Sequence, residues 1–108
     1  MKYFVTEFSF SAPRNKAVEE FIHRVPNYLH TLLPDKESVE KMESSIKALA
    51  ERINEAHTTC RPITIKCCQF IDGDIVMDIH IPTGQRRIDV GWMRLVKVSH
   101  EWKEGGIK

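Results

Sequence analysis

The chain has 108 residues, 42% of them apolar and 29% charged, with 16 basic side chains against 15 acidic ones. That length fits a single domain with a modest core. The net charge of +1 gives no global attraction to nucleic acid or anionic membrane, so either would need a local basic patch.

No run approaches the ~20 apolar residues that a membrane-spanning helix requires. Glu7 interrupts the first apolar stretch too early for a signal peptide, so no membrane contact is expected. Cys60, Cys67 and Cys68 are odd in number and two are adjacent, unlike a secreted disulfide framework. A reducing, cytoplasmic setting is the expectation.

The first segment, from Lys2 to Ser11, is rich in aromatic and β-branched residues and reads as a strand. Phe4, Phe8 and Phe10 share one parity while Tyr3 and Val5 share the other, so both faces are expected to be partly covered. Ser11-Ala12-Pro13 reads as a helix start, with Pro13 near the first helical position. Val18, Phe21, Ile22, Val25, Leu29 and Leu32 follow at helical spacing. Pro26 interrupts them, and an interior proline costs a helix about 3 kcal/mol, which predicts a kinked helix or two short ones.

Asp35 is placed to cap the next helix, with Glu37 in its first turn near the positive end of the dipole. Val39, Met42, Ile46, Leu49 and Ile53 then form an amphipathic seam as far as about Ala56. Glu37 with Lys41 and Glu43 with Lys47 are i,i+4 pairs in the favourable orientation. The seam holds a heptad spacing too briefly for a coiled coil, so it is expected to pack on the chain's own sheet.

After Pro62 the period becomes two. Ile63, Ile65 and Cys67 alternate with Thr64, Lys66 and Cys68. Beyond Asp72-Gly73-Asp74, Ile75, Met77, Ile79 and Ile81 alternate with Val76, Asp78 and His80. Beyond Pro82-Thr83-Gly84-Gln85, Ile88, Val90 and Trp92 alternate with Arg87, Asp89 and Gly91. These are three strands of an antiparallel meander. Arg94 then falls on the apolar parity, which points to a bulge near Gly91 or a break before a fourth strand.

A one-residue slip exchanges the two faces of a strand. An odd-length loop or a bulge at the first turn aligns Ile63, Ile65, Cys67 and Ile71 with the isoleucine face. Pairing Ile81 with Arg86 at the second turn sets Ile79 opposite Ile88, Met77 opposite Val90 and Ile75 opposite Trp92. The predicted class is α+β in the order β-α-α-β-β-β, with a further strand open. Its antiparallel C-terminal sheet packs on a long amphipathic helix. Residues 1–103 form one domain and 104–108 a flexible tail.

In that register Lys66, His80 and Arg87 form one outward row, and Cys68, Asp78 and Asp89 form a neighbouring polar cluster. Arg86, Arg94 and Lys97 lie nearby, with Trp92 and Trp102 interleaved. Arginine forks and a lysine charge suit phosphate, and histidine can exchange a proton near neutral pH. An ordinary solvated sheet face explains the same residues. Trp92 shares the parity of Ile88 and Val90 and is expected in the core, whereas Trp102 is expected as a contact residue.

Cys67 and Cys68 point to opposite faces and do not share an ion easily, so no metal and no cofactor is expected. Cys68 and His80 are diagonal neighbours in this register, without an oxyanion site to complete a nucleophilic centre. No Walker, HExxH or GxSxG pattern occurs.

The order β-α-α-β-β-β, together with Lys66, His80 and Arg87 on one sheet face, is similar to that of the RelE-like bacterial toxins. That resemblance implies messenger RNA as substrate and cleavage on the ribosome by a basic sheet face. His80 would then act as general acid or base and the cations would stabilise phosphate charge.

Two readings result. One is a small intracellular, non-enzymatic protein-binding module, regulatory or accessory, using the exposed sheet face or a sheet edge, with a protein partner or a second copy bound. The alternative is an RNA-binding domain or RelE-like ribonuclease built on Lys66, His80, Arg87 and Arg94.

Overall fold

The computed structural model of the chain describes residues 2–11, 15–83 and 86–98, with the backbone alone at 82, 83, 86 and 87. The elements are β1 (Lys2–Phe10), α1 (Lys16–Arg24), β2 (Leu32–Leu33), α2 (Lys36–Ala56), β3 (Thr64–Gln69), β4 (Ile75–Thr83) and β5 (Arg86–Val98). The strands form a 5-stranded antiparallel sheet in the order β2-β1-β5-β4-β3. The fold is therefore α+β, with the C-terminal meander extended by β1 and β2. Residues beyond Val98, Trp102 and the expected tail among them, lie outside the described residues.

α2 follows the expected pattern. Asp35 is its N-cap, accepting from the Ser38 N–H at 2.8 Å, and the bond holds the Asp35 carboxyl below its ordinary pKa. Val39, Met42, Ile46, Ala50 and Ile53 are buried along one side.

The earlier helical region differs from expectation. α1 begins after Asn15, whose side-chain oxygen accepts from Ala17 N at 2.8 Å and Val18 N at 3.1 Å. The helix thus starts at Lys16, three residues past Pro13, which lies outside the described residues. α1 ends at Val25, extended at ψ 134°, as a residue preceding proline prefers. No helix covers the stretch from Pro26 to Leu32.

The chain instead turns through Asn27, whose side chain accepts from Leu29 N, and His30 at φ +65°. Val5 N–H donates to Thr31 O at 3.0 Å and His30 N–H to Val5 O at 2.9 Å, pulling Leu32–Leu33 onto β1 as a short edge strand. The helical spacing of Leu29 and Leu32 is incidental, and both are exposed.

The β3–β4 loop has odd length, as expected. Phe70 N–H donates to Asp74 O at 2.8 Å and Gly73 N–H to Phe70 O at 2.9 Å, leaving Ile71-Asp72-Gly73 as a three-residue loop. Gly73, at φ +97°, takes the left-handed position such loops require. Ile65 and Cys67 accordingly face Ile79 and Met77. Ile71 does not join that face, because it sits in the loop and is exposed.

The second turn closes one pair later than expected. Thr83 pairs with Arg86 and Ile81 with Ile88, a two-residue slip that preserves the faces while changing every neighbour.

The feature flagged near Gly91 is a bulge, and no break follows it. Ile79 pairs with Gly91 while His80 pairs with Asp89, so Val90 is the extra residue. β5 continues through Val98, with Met77 opposite Met93 and Ile75 opposite Leu95. A Cβ on Gly91 would lie 2.4 Å from Ser9 O and 2.5 Å from Phe10 Cδ1, so only glycine fits against β1 there. β1 has its own irregularity between Val5 and Glu7. It brings Phe8 and Phe10 to the side of Tyr3 and Val5, where they pack against the core, and leaves Phe4 opposite Val96 and Leu32.

Both helices bury their apolar sides in one cluster on the inner sheet face, with Val5, Met77, Ile79, Met93 and Leu95 fully buried at its floor. Each such side chain contributes roughly 1.5–3 kcal/mol. The α2 seam is consumed in this packing, as expected. At the rim, His57 Nε2 meets Glu20 Oε1 at 2.7 Å and joins the end of α2 to α1. Hydrogen bonds from His57 and then Arg24 hold the Glu20 carboxyl below its ordinary pKa.

Two outcomes follow for stability. Gly91→Val is expected to cost about 1–3 kcal/mol in urea denaturation, the range for overpacking, because β1 backbone must move to admit the side chain. A lowered folded-state pKa makes the Glu20 contribution present above the ordinary carboxylate range and lost as pH falls through the folded value. The midpoint of wild type should therefore fall more steeply than that of Glu20→Gln below about pH 4.5, measured by denaturation at a series of pH values.

Candidate functional site

The outer sheet face carries no covering helix among the described residues, and its side chains form rows set by the register. Glu7, Arg94, Val76 and Cys68 lie in one row. Ser9, Trp92, Asp78 and Lys66 form the next. Asp89, His80 and Thr64 form the third.

The expected row of Lys66, His80 and Arg87 is not assembled. Lys66 lies opposite Asp78 rather than His80, and Arg87 pairs at the backbone with Pro82. The Arg87 side chain and Trp102 lie outside the described residues. The cluster of Cys68, Asp78 and Asp89 is likewise dispersed. Cys68 faces Val76, Asp78 stands between Lys66 and Trp92, and Asp89 faces His80. Two-residue slips at both turns, with the bulge at Val90 adding one more residue at Asp78, explain these exchanges. Parity, and so the outward direction of Lys66, Cys68, Asp78, His80 and Asp89, is unaffected.

The bulge adds Trp92 to this face and settles the position of Arg94. Without it Trp92 would follow Val90 into the core; with it Met93 and Leu95 turn inward. Trp92 is 48% exposed, and its indole N–H donates to Glu7 Oε1 at 3.1 Å. Arg94 Nη2 donates to Asp74 Oδ2 at 2.9 Å, and Asp74 holds the guanidinium above its ordinary pKa. Sequence reasoning missed Glu7, Asp74 and Trp92. The usable signal was Gly91: its bulge, carried one residue further, turns Trp92 outward.

Charge on this face is locally compensated. Lys66 is opposite a carboxylate, Arg94 is bonded to one, and His80 stands beside a third. His80 Nδ1 is buried without a hydrogen-bond partner, although the ring as a whole is half-buried.

The thiols do not form a reactive centre with it. Cys68 pairs with Val76, four pairs along β3–β4 from the Thr64–His80 pair, so the expected diagonal contact with His80 is absent. Cys67 packs against the core on the inner face, and burial, then Glu43, pushes its pKa up to about 11. Among the described residues no group of three or more His, Cys, Asp or Glu side chains is arranged to hold a metal ion. Nor is any helix there long and apolar enough to cross a membrane.

No protein-family model, curated protein or solved structure matches the chain.

The two adjacent thiols should differ in reactivity. With Cys60→Ser throughout, the Cys68→Ser variant, which keeps Cys67, should label with maleimide at neutral pH at least roughly tenfold more slowly than Cys67→Ser, because little Cys67 thiolate is present. Equal rates would show that Cys67 is not desolvated.

Proposed function

We propose that this chain is a small non-enzymatic protein-binding module, regulatory or accessory in role, that meets a protein partner with the uncovered face of its sheet. The observation that carries the reading is Trp92. A half-exposed indole stands in the interior of the sheet face, oriented by Glu7 and bordered by Asp78 and Ser9. Tryptophan is enriched among the residues that dominate protein interfaces, since it offers a large apolar area with a polar tip. Around it the paired charges suit a polar interface rim, which fixes register and adds little energy.

The RNA reading draws less support from the same face. Phosphate binding rests on cations free to displace counterions. Among the described side chains around Trp92, the carboxylates of Glu7, Asp74, Asp78 and Asp89 outnumber Lys66 and Arg94. The absence of a cysteine framework suits a reducing, cytoplasmic site of action.

A photo-reactive residue at position 92 tests the proposal in cells that express the chain, with the same probe at Lys41 on the solvent side of α2 as control. A discrete adduct of defined mass should form from position 92 and not from position 41. In parallel, a short single-stranded RNA should show no saturable binding at low ionic strength. Salt-sensitive RNA binding, with a slope lowered by Arg94→Ala, would overturn the reading in favour of RNA.

A further inference from the structure

The groups around Trp92 define a chemistry as well as a surface. Trp92 pairs with Ser9 on β1 and with Asp78 on β4, and side chains directly opposite in a sheet stand roughly 4.5–5.5 Å apart at Cβ. The indole N–H donates to Glu7 Oε1 at 3.1 Å, which turns the polar edge of the ring toward β1. One carboxylate therefore lies on each side of the ring, Glu7 on β1 and Asp78 on β4, with 48% of Trp92 open to solvent.

The cations of this face are engaged elsewhere or stand apart. Arg94 is held by Asp74 at 2.9 Å, and Asp74 also accepts from Lys97 N–H at 3.4 Å. The guanidinium is thus drawn along β5 toward Lys97, away from the indole, and Glu7 acts on it only at a distance. Lys66 is opposite Asp78, yet among the described residues no ion pair joins those two, and none reaches Glu7. Two carboxylates and one lysine remain beside the exposed ring, an acidic balance.

An aromatic ring attracts a cation over its face through the ring quadrupole, most strongly when the ring is an indole. A neighbouring carboxylate adds charge-assisted hydrogen bonds. A guanidinium uses both at once, because it is planar, stacks on the ring and forks to a carboxylate from its edge. An ammonium group offers a compact and strongly hydrated charge instead.

We infer that Trp92 and Asp78 form a seat for an arginine side chain of the partner protein, stacked on the indole and forked to the Asp78 carboxylate. Glu7 holds the ring in place and adds negative potential. The inference rests on the sheet face being the protein-binding surface and names what that surface recognises.

NMR of the full chain, read at the backbone amides and the indole N–H groups, tests this with a blocked Gly-Arg-Gly peptide. Its citrulline counterpart keeps the shape and loses the charge. The arginine peptide should shift the Trp92 indole signal saturably at roughly millimolar concentration, as one side chain on an open face allows. The citrulline peptide should bind at least about fivefold more weakly, and the lysine peptide about two- to fivefold more weakly. Trp92→Ala should abolish the shifts at the Asp78 and Ser9 amides, and Asp78→Asn should weaken binding about fivefold. Glu7→Gln, which can still accept the indole N–H bond, should weaken it only about twofold.

Equal binding of the arginine and citrulline peptides would overturn the inference. So would shifts spread evenly over surface carboxylates and unchanged by Trp92→Ala. Movement of the Trp92 signals when the free chain is concentrated would overturn it too, by assigning the face to a second copy. A cellular adduct at position 92 without arginine-peptide binding would remove the arginine seat and leave the protein-binding reading standing.

Discussion

The contact on which the rest of the molecule depends is the close approach of Gly91 to the backbone of Ser9 and Phe10. There β5 takes up the extra residue Val90 while remaining bonded to β1 and β4 at once. A bulge bends a strand and advances its side-chain parity by one. Ahead of it Val90 is buried; after it Met93 and Leu95 are buried. Without that advance, the second half of β5 would turn Arg94 into the core and Met93 out to solvent. With it, one long strand serves as the middle of a sheet whose buried residues are all apolar. A second irregularity, in β1 between Val5 and Glu7, makes the same adjustment on the adjoining strand and returns Phe8 and Phe10 to the core.

The same geometry makes the outer face what it is. Trp92 and Arg94 reach it through the bulge, and each meets an acidic partner from another part of the chain, Glu7 from β1 and Asp74 from the β3–β4 loop. A face that looks basic along single strands is balanced when the strands are aligned. Cross-strand neighbours, rather than sequence neighbours, set its electrostatics. Beside β3 the Asn54 side chain accepts from the Ile63 N–H and donates to its C=O, as a neighbouring strand residue would.

Much of the architecture was legible because it depends on local chemistry. The α2 seam, its Asp35 cap and its end near Ala56 follow from helical spacing and capping alone. The odd β3–β4 loop follows from the parity of Ile65 and Cys67 against the isoleucines of β4. The short β2 was illegible, since Leu29 and Leu32 keep helical spacing past Pro26. Their placement is decided by hydrogen bonds from Val5 and His30, far apart in sequence. The site was legible only as a direction. Lys66, Cys68, Asp78, His80 and Asp89 do face outward, but slips of two residues leave parity intact and exchange every partner.

By itself the sequence determined the α+β class, the long helix with its buried seam, and which side of β3 and β4 faces the core. Each is written in a period of two or 3.6 and in the chemistry of caps and turns. Tertiary structure decided the joining of β1 to β5, the outward turn of Trp92, the neutralising of Arg94 and the place of β3 at the end of the described sheet. Those depend on which backbone lies beside which, and Gly91 shows why. Its missing side chain permits a bulge in the sequence, but only the backbone of Ser9 and Phe10 pressed against it requires one.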